Sequence, residues 1–342
     1  MLSAPFIFAV QSLNIRNRNP DEMLRVNFEP ALISSPGLIV ILGATASGKT
    51  GLAINLAKKL GLPILCADSR QVYQGMDIGT AKPDLIERQN VPHYLIDLVE
   101  LDQGFSLADF QIEAQSLIAN YHRQNITPLL VGGTGMYIKS VIHGMKIPRV
   151  AAQPNLRLQL QELGQAHCHQ LLRQIDPDTL IHANDQVRTL RALEVFIVTG
   201  KTLFELQGES PPPHPILQIG LETPENHREI ISDRLETMLA RGWLAEIEAL
   251  QNQYGKDNSL LRTLGYGEMS DYLSDRLNLA EAKNLIVTHT LQFAKQQRTW
   301  FRNTGSKRFK IHWLKPSDRP NLDYLLDLIH NRENWQVHTN ND

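Results

Sequence analysis

The sequence predicts an α/β fold, a doubly wound parallel sheet interrupted by a small inserted helical domain. Three observations predict it. Continuous apolar runs such as Leu38-Ile39-Val40-Ile41-Leu42 are expected of parallel strands buried on both faces. Each run leads into a turn and then into a stretch of helical period, the repeat of a strand–turn–helix unit. Two proline-rich seams, Ile147-Pro148-Arg149 through Pro154 and Pro211 through Pro215, bracket a segment with helical patterning and almost no strand signal. With 342 residues, 42% hydrophobic and 20% charged, the chain sits at globular averages, so disordered, collagen-like and coiled-coil readings drop out. That length corresponds to about two domains.

Residues 1–35 read as a disordered tail or an over-long start. Their apolar stretch Ala4 to Val10 lacks the preceding basic residue of a secretory signal, and Met23 offers an internal start. Residues 36–147 form the first part of the core. Leu38 to Leu42 is its first strand, Gly43 to Thr50 a turn, and Leu52, Leu56 and Leu60 mark one face of a helix stopped by Gly61. Pro63 to Ala67 is a second strand and His93 to Leu98 a third. A helix opens at Ser106, with Asp109 at capping-box spacing. Pro128 to Val131 is another strand, closed by Gly132-Gly133-Thr134-Gly135 and a further helix. Residues 148–214 are the helical insert, with helices at Leu156 to Leu163, Gln165 to Ile175 and Val187 to Thr199. The core resumes over 215–320 with a strand at Ile216 to Leu221, helices near 225–252 and 279–302, and a last strand at Phe309 to Leu314. Residues 321–342 read as a C-terminal tail.

Charge and cysteine usage narrow the function. Lys+Arg 34 against Asp+Glu 36 gives a net charge of −2, so any nucleic-acid surface must be local. The two cysteines, Cys66 and Cys168, are too far apart for a Cys-rich zinc module or a disulfide framework. The apolar runs fall well short of the ~20 residues that span a bilayer. The expectation is a cytoplasmic protein with no membrane association.

Gly43-Ala44-Thr45-Ala46-Ser47-Gly48-Lys49-Thr50 fits G-x-x-x-x-G-K-[ST] in full, between a buried strand and a helix. This makes the expected sheet P-loop NTPase-like. Glycines let backbone N–H groups converge on phosphate oxygens, and the helix N-terminus adds its positive dipole end. Lys49 supplies a charge and Thr50 a hydroxyl ligand for Mg²⁺. No guanine-reading Asn-Lys-x-Asp occurs, and the strand Leu129-Leu130-Val131 runs into Gly132 rather than an acid. By loop statistics alone the reading is a small-molecule or nucleotide kinase. Asp68, directly after the second strand, and Thr134, after another, should open into the same crevice at the carboxyl ends of the strands. Gly79 to Pro83 reads as a flexible loop at that edge.

Further motifs carry a family resemblance. After G-A-T-A-S-G-K-T come D-S-R-Q-V-Y-Q-G-M-D-I-G-T-A-K-P (Asp68 to Pro83), V-P-H-Y-L-I-D and L-L-V-G-G-T-G-M-Y-I-K. R-A-L-E-V-F-I-V-T-G-K (Arg191 to Lys201), L-G-Y-G-E (Leu264 to Glu268) and A-K-Q-Q-R-T-W-F-R (Ala294 to Arg302) follow. In these the chain resembles the tRNA dimethylallyltransferase, or tRNA isopentenyltransferase, family over roughly residues 38–315. The resemblance implies transfer of a dimethylallyl group from dimethylallyl diphosphate to N6 of the adenosine just 3′ of the anticodon, giving N6-isopentenyladenosine. It implies that the P-loop holds the diphosphate, with Mg²⁺ on Thr50, that Asp68 is the general base and that Thr134 assists at the reaction centre. A monomer is also expected by resemblance.

The same resemblance implies contacts with the tRNA anticodon stem-loop. They fall at Asp68, Ser69, Arg70 and Gln71; at Thr134 and Arg157; and at Val187, Arg188, Thr189, Leu190 and Arg191. Further ones are Arg262, Thr263, Leu264, Gly265, Tyr266 and Gly267, then Lys295, Gln296, Gln297, Arg298, Thr299, Trp300, Phe301 and Arg302. Composition supports the last group. Ala282 to Ser317 holds eight Lys/Arg (Lys283, Lys295, Arg298, Arg302, Lys307, Arg308, Lys310, Lys315) and no acid, interleaved with aromatics, as single-stranded RNA recognition requires. Trp300 and Phe301 themselves read better as core residues. The insert, with five Lys/Arg against seven acids between Pro154 and Ser210, must grip RNA by shape and a few placed arginines. Three positions depart from the family pattern: Leu291 after Thr290, Gln296 in place of an arginine, and Gly267 where a basic residue is common.

Overall fold

The apolar run after Gly37 forms β1 (Leu38–Gly43), buried along its whole length. The computed structural model describes residues 36–305, 310–318 and 322–337. The expected tail 1–35 lies outside the described residues, as do Lys307, Arg308 and Phe309. The helix after the P-loop is α1 (Lys49–Leu60), ended by Gly61 in the left-handed region at φ 65°. β2 (Ile64–Ala67) and β3 (His93–Tyr94) follow, then α2 (Leu107–Arg123), whose Ser106–Asp109 capping box is formed in both directions. β4 (Leu129–Gly132) leads through Thr134 into α3 (Gly135–Ile142).

β5 (Met145–Lys146) and a later β6 (Gly208–Glu209) pair antiparallel as a short ribbon beneath the insert, which the sequence reading missed. Between them lie α4 (Pro154–Glu162), α5 (Gln165–Ile175), α6 (Gln186–Thr199) and α7 (Leu203–Leu206). Their small core is built on Leu160, Cys168, Leu172, Leu190 and Leu193, separate from the sheet. The core resumes with β7 (Ile216–Leu221), α8 (His227–Ala240), α9 (Trp243–Tyr254), α10 (Tyr266–Tyr272), α11 (Leu279–Trp300), β8 (Ile311–Leu314) and α12 (Leu322–His330).

The sheet runs β3-β2-β4-β1-β7-β8, every pair parallel. Alternate residues of β1 feed two cores. Leu38, Val40 and Leu42 pack with α2, α3 and the helices after β7, while Ile39 and Ile41 pack with α1 and α12. Register sets the site. Leu42 and Ala67 both lie opposite Gly132, so β1, β4 and β2 end at one level and the turns after them converge.

Four expectations are corrected. The third strand stops at Tyr94, because Leu95 and Asp97 adopt positive φ (64° and 54°) and turn the chain out of the ladder. The helix near 225–252 is two helices, broken where Gly242 takes φ 94°. The loop after Gly79 is tied down rather than loose: buried Lys82 donates to Tyr73 O and Asp77 and pairs with Asp97. Residues 322–337 are no tail. Leu325 and Ile329 of α12 are buried in the core beside Trp335, and Gln336 bridges to Ile216.

Candidate active site

The P-loop closes on α1 with no side chain capping that helix and no acid in its first turn. Ala46 and Gly48 take positive φ (56° and 85°), which turns successive amides inward. Lys49 Nζ donates to Ala44 O at 2.5 Å. Thr45 to Thr50 line a cavity of about 220 Å³ that also reaches Asp68, Gln71, Gly132, Gly133 and Arg234. Gly43 and Ala44 lie behind this lining in buried backbone. Ser47 is fully buried, and its Oγ has no partner among the described residues.

A second cavity of about 280 Å³ continues from the first. Thr45, Ala46, Asp68, Thr80, Arg234, Phe293 and Gln297 line both. Its remaining walls are mainly apolar: Ile231, Leu235, Met238, Trp243, Leu264, Tyr266 and Ile286, with Thr134, Ser69 and Arg70 on one side. The molecule thus sets a cavity walled by the P-loop against an apolar chamber. Asp68 is the sole carboxylate lining either cavity among the described residues.

Asp68 Oδ1 accepts the Arg70 N–H at 2.8 Å, which fixes the carboxylate at the strand end. Thr134 Oγ1 accepts from Ser69 N at 3.1 Å, and its own N–H donates to Ala67 O at 3.2 Å. The turns after β2 and β4 are therefore stitched together directly beside the shared mouth. Gly132 is required there, since a Cβ would lie 2.1 Å from Ala67 O.

Gln297 of α11 reaches the same place. Its Oε1 accepts from Thr45 N at 2.8 Å, and its Nε2 donates to Gly133 O at 2.9 Å. His227 Nε2 donates to Thr45 O at 3.0 Å. Burial, aided by Arg298 and Lys49 nearby, holds His227 below its usual imidazole range against the pull of the Thr45 carbonyl.

The residues read as RNA contacts separate into groups. Lys295, Gln296 and Thr299 are exposed along α11, and Arg302 is exposed beside it with Glu222 at 3.6 Å and the Trp313 ring at 5.9 Å. Arg298 donates to Thr223 Oγ1. Val187 and Arg188 are exposed at the start of α6, and Arg262 pairs with Asp271. Thr263, Leu264 and Gly265 line the apolar chamber. Gly267 packs against the Arg262 backbone.

Other residues of that group face inward. The side chains of Thr189, Leu190, Tyr266 and Phe301 are buried, because the face of each helix that carries them packs inward. Trp300 is half-buried over Gly135, at right angles to Phe301. Gln71 and Gln297 point inward, Gln71 donating to the carbonyls of Thr80 and Ala81. Arg157 and Arg191 are both engaged by the fully buried Glu194, at 2.7 and 2.5 Å. Arg191 also donates to the Pro148 and Val150 carbonyls, pinning the seam to the insert.

Sequence reasoning missed Arg234, which lines both cavities from α8. Burial pulls its pKa below the usual guanidinium range, against the pull of Asp68 and Glu87, yet an arginine stays charged at pH 7. A signal existed: Ile231, Leu235 and Met238 form an apolar stripe, and Arg234 stands within it. Phe293, one of the aromatics interleaved in the basic run, is exposed on α11 and lines both cavities.

Comparison with known proteins agrees with this geometry. The family described as IPP transferase matches residues 71–304. A tRNA dimethylallyltransferase of Acaryochloris marina is 52% identical over 300 residues, covering 86% of this chain and 96% of its own. One from Thermosynechococcus vestitus is 55% identical, covering 82% and 89%. Among solved structures, a tRNA isopentenylpyrophosphate transferase of Bacillus halodurans superposes with TM-score 0.63 at 33% identity, over 86% of this chain and 96% of that one. A eukaryotic dimethylallyltransferase acting on tRNA superposes with TM-score 0.76 at 26% identity, over 90% and 82%.

Proposed function

The chain belongs to the IPP transferase family, and from that premise we propose how its paired cavities transfer a dimethylallyl group to tRNA. The donor is dimethylallyl diphosphate, and the acceptor is N6 of the adenosine just 3′ of the anticodon. The observation that carries this reading is the continuity of a cationic oxyanion cradle with an apolar chamber, with one carboxylate at their junction.

The P-loop amides, Lys49 and Arg234 hold the diphosphate, and the apolar walls hold the five-carbon chain. The target base must leave its stack to reach Asp68. Its exocyclic amine is a poor nucleophile, since the lone pair is delocalised into the ring. As the N6–C1 bond forms and the C1–O bond to diphosphate breaks, Asp68 accepts the N6 proton and the electron pair departs with diphosphate. Lys49, Arg234 and the loop amides meet the charge that develops on the leaving group. Thr134, placed by Ser69 and Ala67, faces this junction and supports the reacting groups.

The residues fit Mg²⁺. Mg²⁺ keeps several waters and binds mainly through phosphate oxygens, so it needs few ligands from the protein. Thr50, exposed at the cradle, would supply the hydroxyl that holds it. When bound, Mg²⁺ offsets negative charge on the diphosphate.

The exposed groups Lys295, Gln296, Thr299 and Arg302, with Arg188 on the insert, form the RNA-facing surface. A monomer as the working unit is carried over from the family resemblance. No helix among the described residues is long and apolar enough to cross a membrane, and a tRNA substrate points to the cytoplasm. The relatives are named for transfer to tRNA, and nothing favours the kinase reading.

The test is transfer of labelled prenyl from dimethylallyl diphosphate to an unmodified anticodon stem-loop, with Mg²⁺ and no ATP. Label lost when the target adenine becomes guanine supports the reading. ATP consumption without labelled RNA would overturn it.

A further inference from the structure

Gly79, Thr80 and Ala81 line the paired cavities, and the loop that carries them has an unusual anchor. Glu246, in the first turn of α9, points a single carboxylate at three successive backbone amides. Its Oε2 accepts from Asp77 N at 3.1 Å and Ile78 N at 2.7 Å, and its Oε1 from Gly79 N at 3.2 Å. Three consecutive N–H groups converging on one anion form a backbone nest. The same Oε1 accepts from Tyr266 OH at 2.6 Å.

Four donors thus meet one carboxylate, and they belong to separate walls of the apolar chamber. Gly79 and Thr80 line it from the loop, Tyr266 from α10, and Trp243 from the same helical turn as Glu246. The packing at this junction is tight. A Cβ on Gly79 would lie 2.2 Å from Trp243 Nε1, and one on Gly265 2.8 Å from the same indole. Gln71, three residues from Asp68, donates to the Thr80 and Ala81 carbonyls, so the loop's position is passed to the carboxylate strand end.

We infer that Glu246 is a positioning residue for the prenyl donor: it touches no reacting atom but holds together the walls that shape the donor's chamber. The inference rests on the prenyl-transfer reading above. A chamber wall displaced by about 1 Å misplaces the donor's reacting carbon, and such misplacement is costly in rate. The exposed groups proposed to face RNA, Lys295, Gln296, Thr299, Arg302 and Arg188, lie outside this junction, so the effect falls mainly on the donor.

The experiment compares the full chain with Glu246→Gln, in which one oxygen becomes a donor facing donors. Backbone hydrogen exchange over 77–79 is measured without substrates, and labelled prenyl transfer is measured with each substrate varied. Expected are exchange at least tenfold faster, a KM for dimethylallyl diphosphate raised about tenfold or more, and a KM for the stem-loop within twofold of wild type. Unchanged exchange, an unchanged donor KM, or equal rises in both KM values would overturn the inference. Should Glu246→Gln not fold, Tyr266→Phe decides. It removes one of the four donors and should raise the donor KM about threefold; no rise overturns the proposal. If wild type itself transfers no label, the prenyl-transfer reading fails, while exchange over 77–79 still reports whether Glu246 anchors the loop.

Discussion

Replacing Gln297 with leucine removes a link between the P-loop and the turn that carries Thr134, at nearly constant side-chain volume. Two hydrogen bonds go, Thr45 N to Oε1 at 2.8 Å and Nε2 to Gly133 O at 2.9 Å. Each is worth about 0.5–1.5 kcal/mol net, so the pair amounts to about 1–3 kcal/mol. Gly133 is buried, which pushes the cost toward the upper end. If that energy serves to align cradle and acceptor in the transition state, about 1.36 kcal/mol per decade converts it to a 5- to 160-fold loss in kcat/KM.

The assay is single-turnover prenyl transfer to a stem-loop, with RNA affinity measured separately. Gln297→Glu sharpens the test. It retains an acceptor for Thr45 N but sets a carboxylate against Gly133 O and beside the site proposed for the diphosphate, so its donor KM should rise further. A Gln297→Leu enzyme within twofold of wild type, or one impaired only in RNA affinity, would refute the reasoning and return Gln297 to the RNA surface.

Asp68→Asn keeps an acceptor for Arg70 N but takes no proton; we expect transfer to fall by about 10²–10⁴-fold, with stem-loop affinity by filter binding nearly unchanged. Arg234→Gln should weaken inorganic pyrophosphate binding in calorimetry and raise the donor KM about tenfold, and normal pyrophosphate affinity would remove Arg234 from the cradle. Burial works to raise the Glu194 pKa, but Arg157, the Gln153 N–H and Arg191 together outweigh it and hold the carboxyl at about 2. A folded-state pKa below the usual 4.5 means the network's contribution is complete above pH about 4.5 and fades as pH falls toward 2. Denaturation midpoints followed over that range should decline less steeply in Glu194→Gln than in wild type, and parallel curves would rule the network out as the cause.

Local patterns in the sequence determined much of this protein. The P-loop between a buried strand and a helix, the capping box at Ser106 and the bounds of α5 are set within windows of a few residues, where turn chemistry and period act directly. Asp68 and Thr134 were legible because strand ends in a parallel sheet open to one side.

Only the tertiary structure decided which face of each helix met the site. Gln297 and Thr45 are 252 residues apart, and Glu246 reaches a loop some 168 residues before it. Their meeting follows from the strand order β3-β2-β4-β1-β7-β8 and from α8, α9 and α11 packing at its carboxyl end. Motif stretches such as Val187 to Arg191 were read as continuous RNA contacts. A helix turns its residues around the axis, so the fold sent Thr189 and Leu190 inward, tied Arg191 to Glu194, and left Val187 and Arg188 outside. Residues 322–337 carry too short an apolar pattern to announce a core element, yet Leu325, Ile329 and Trp335 are buried because the sheet face above α1 would otherwise stand open.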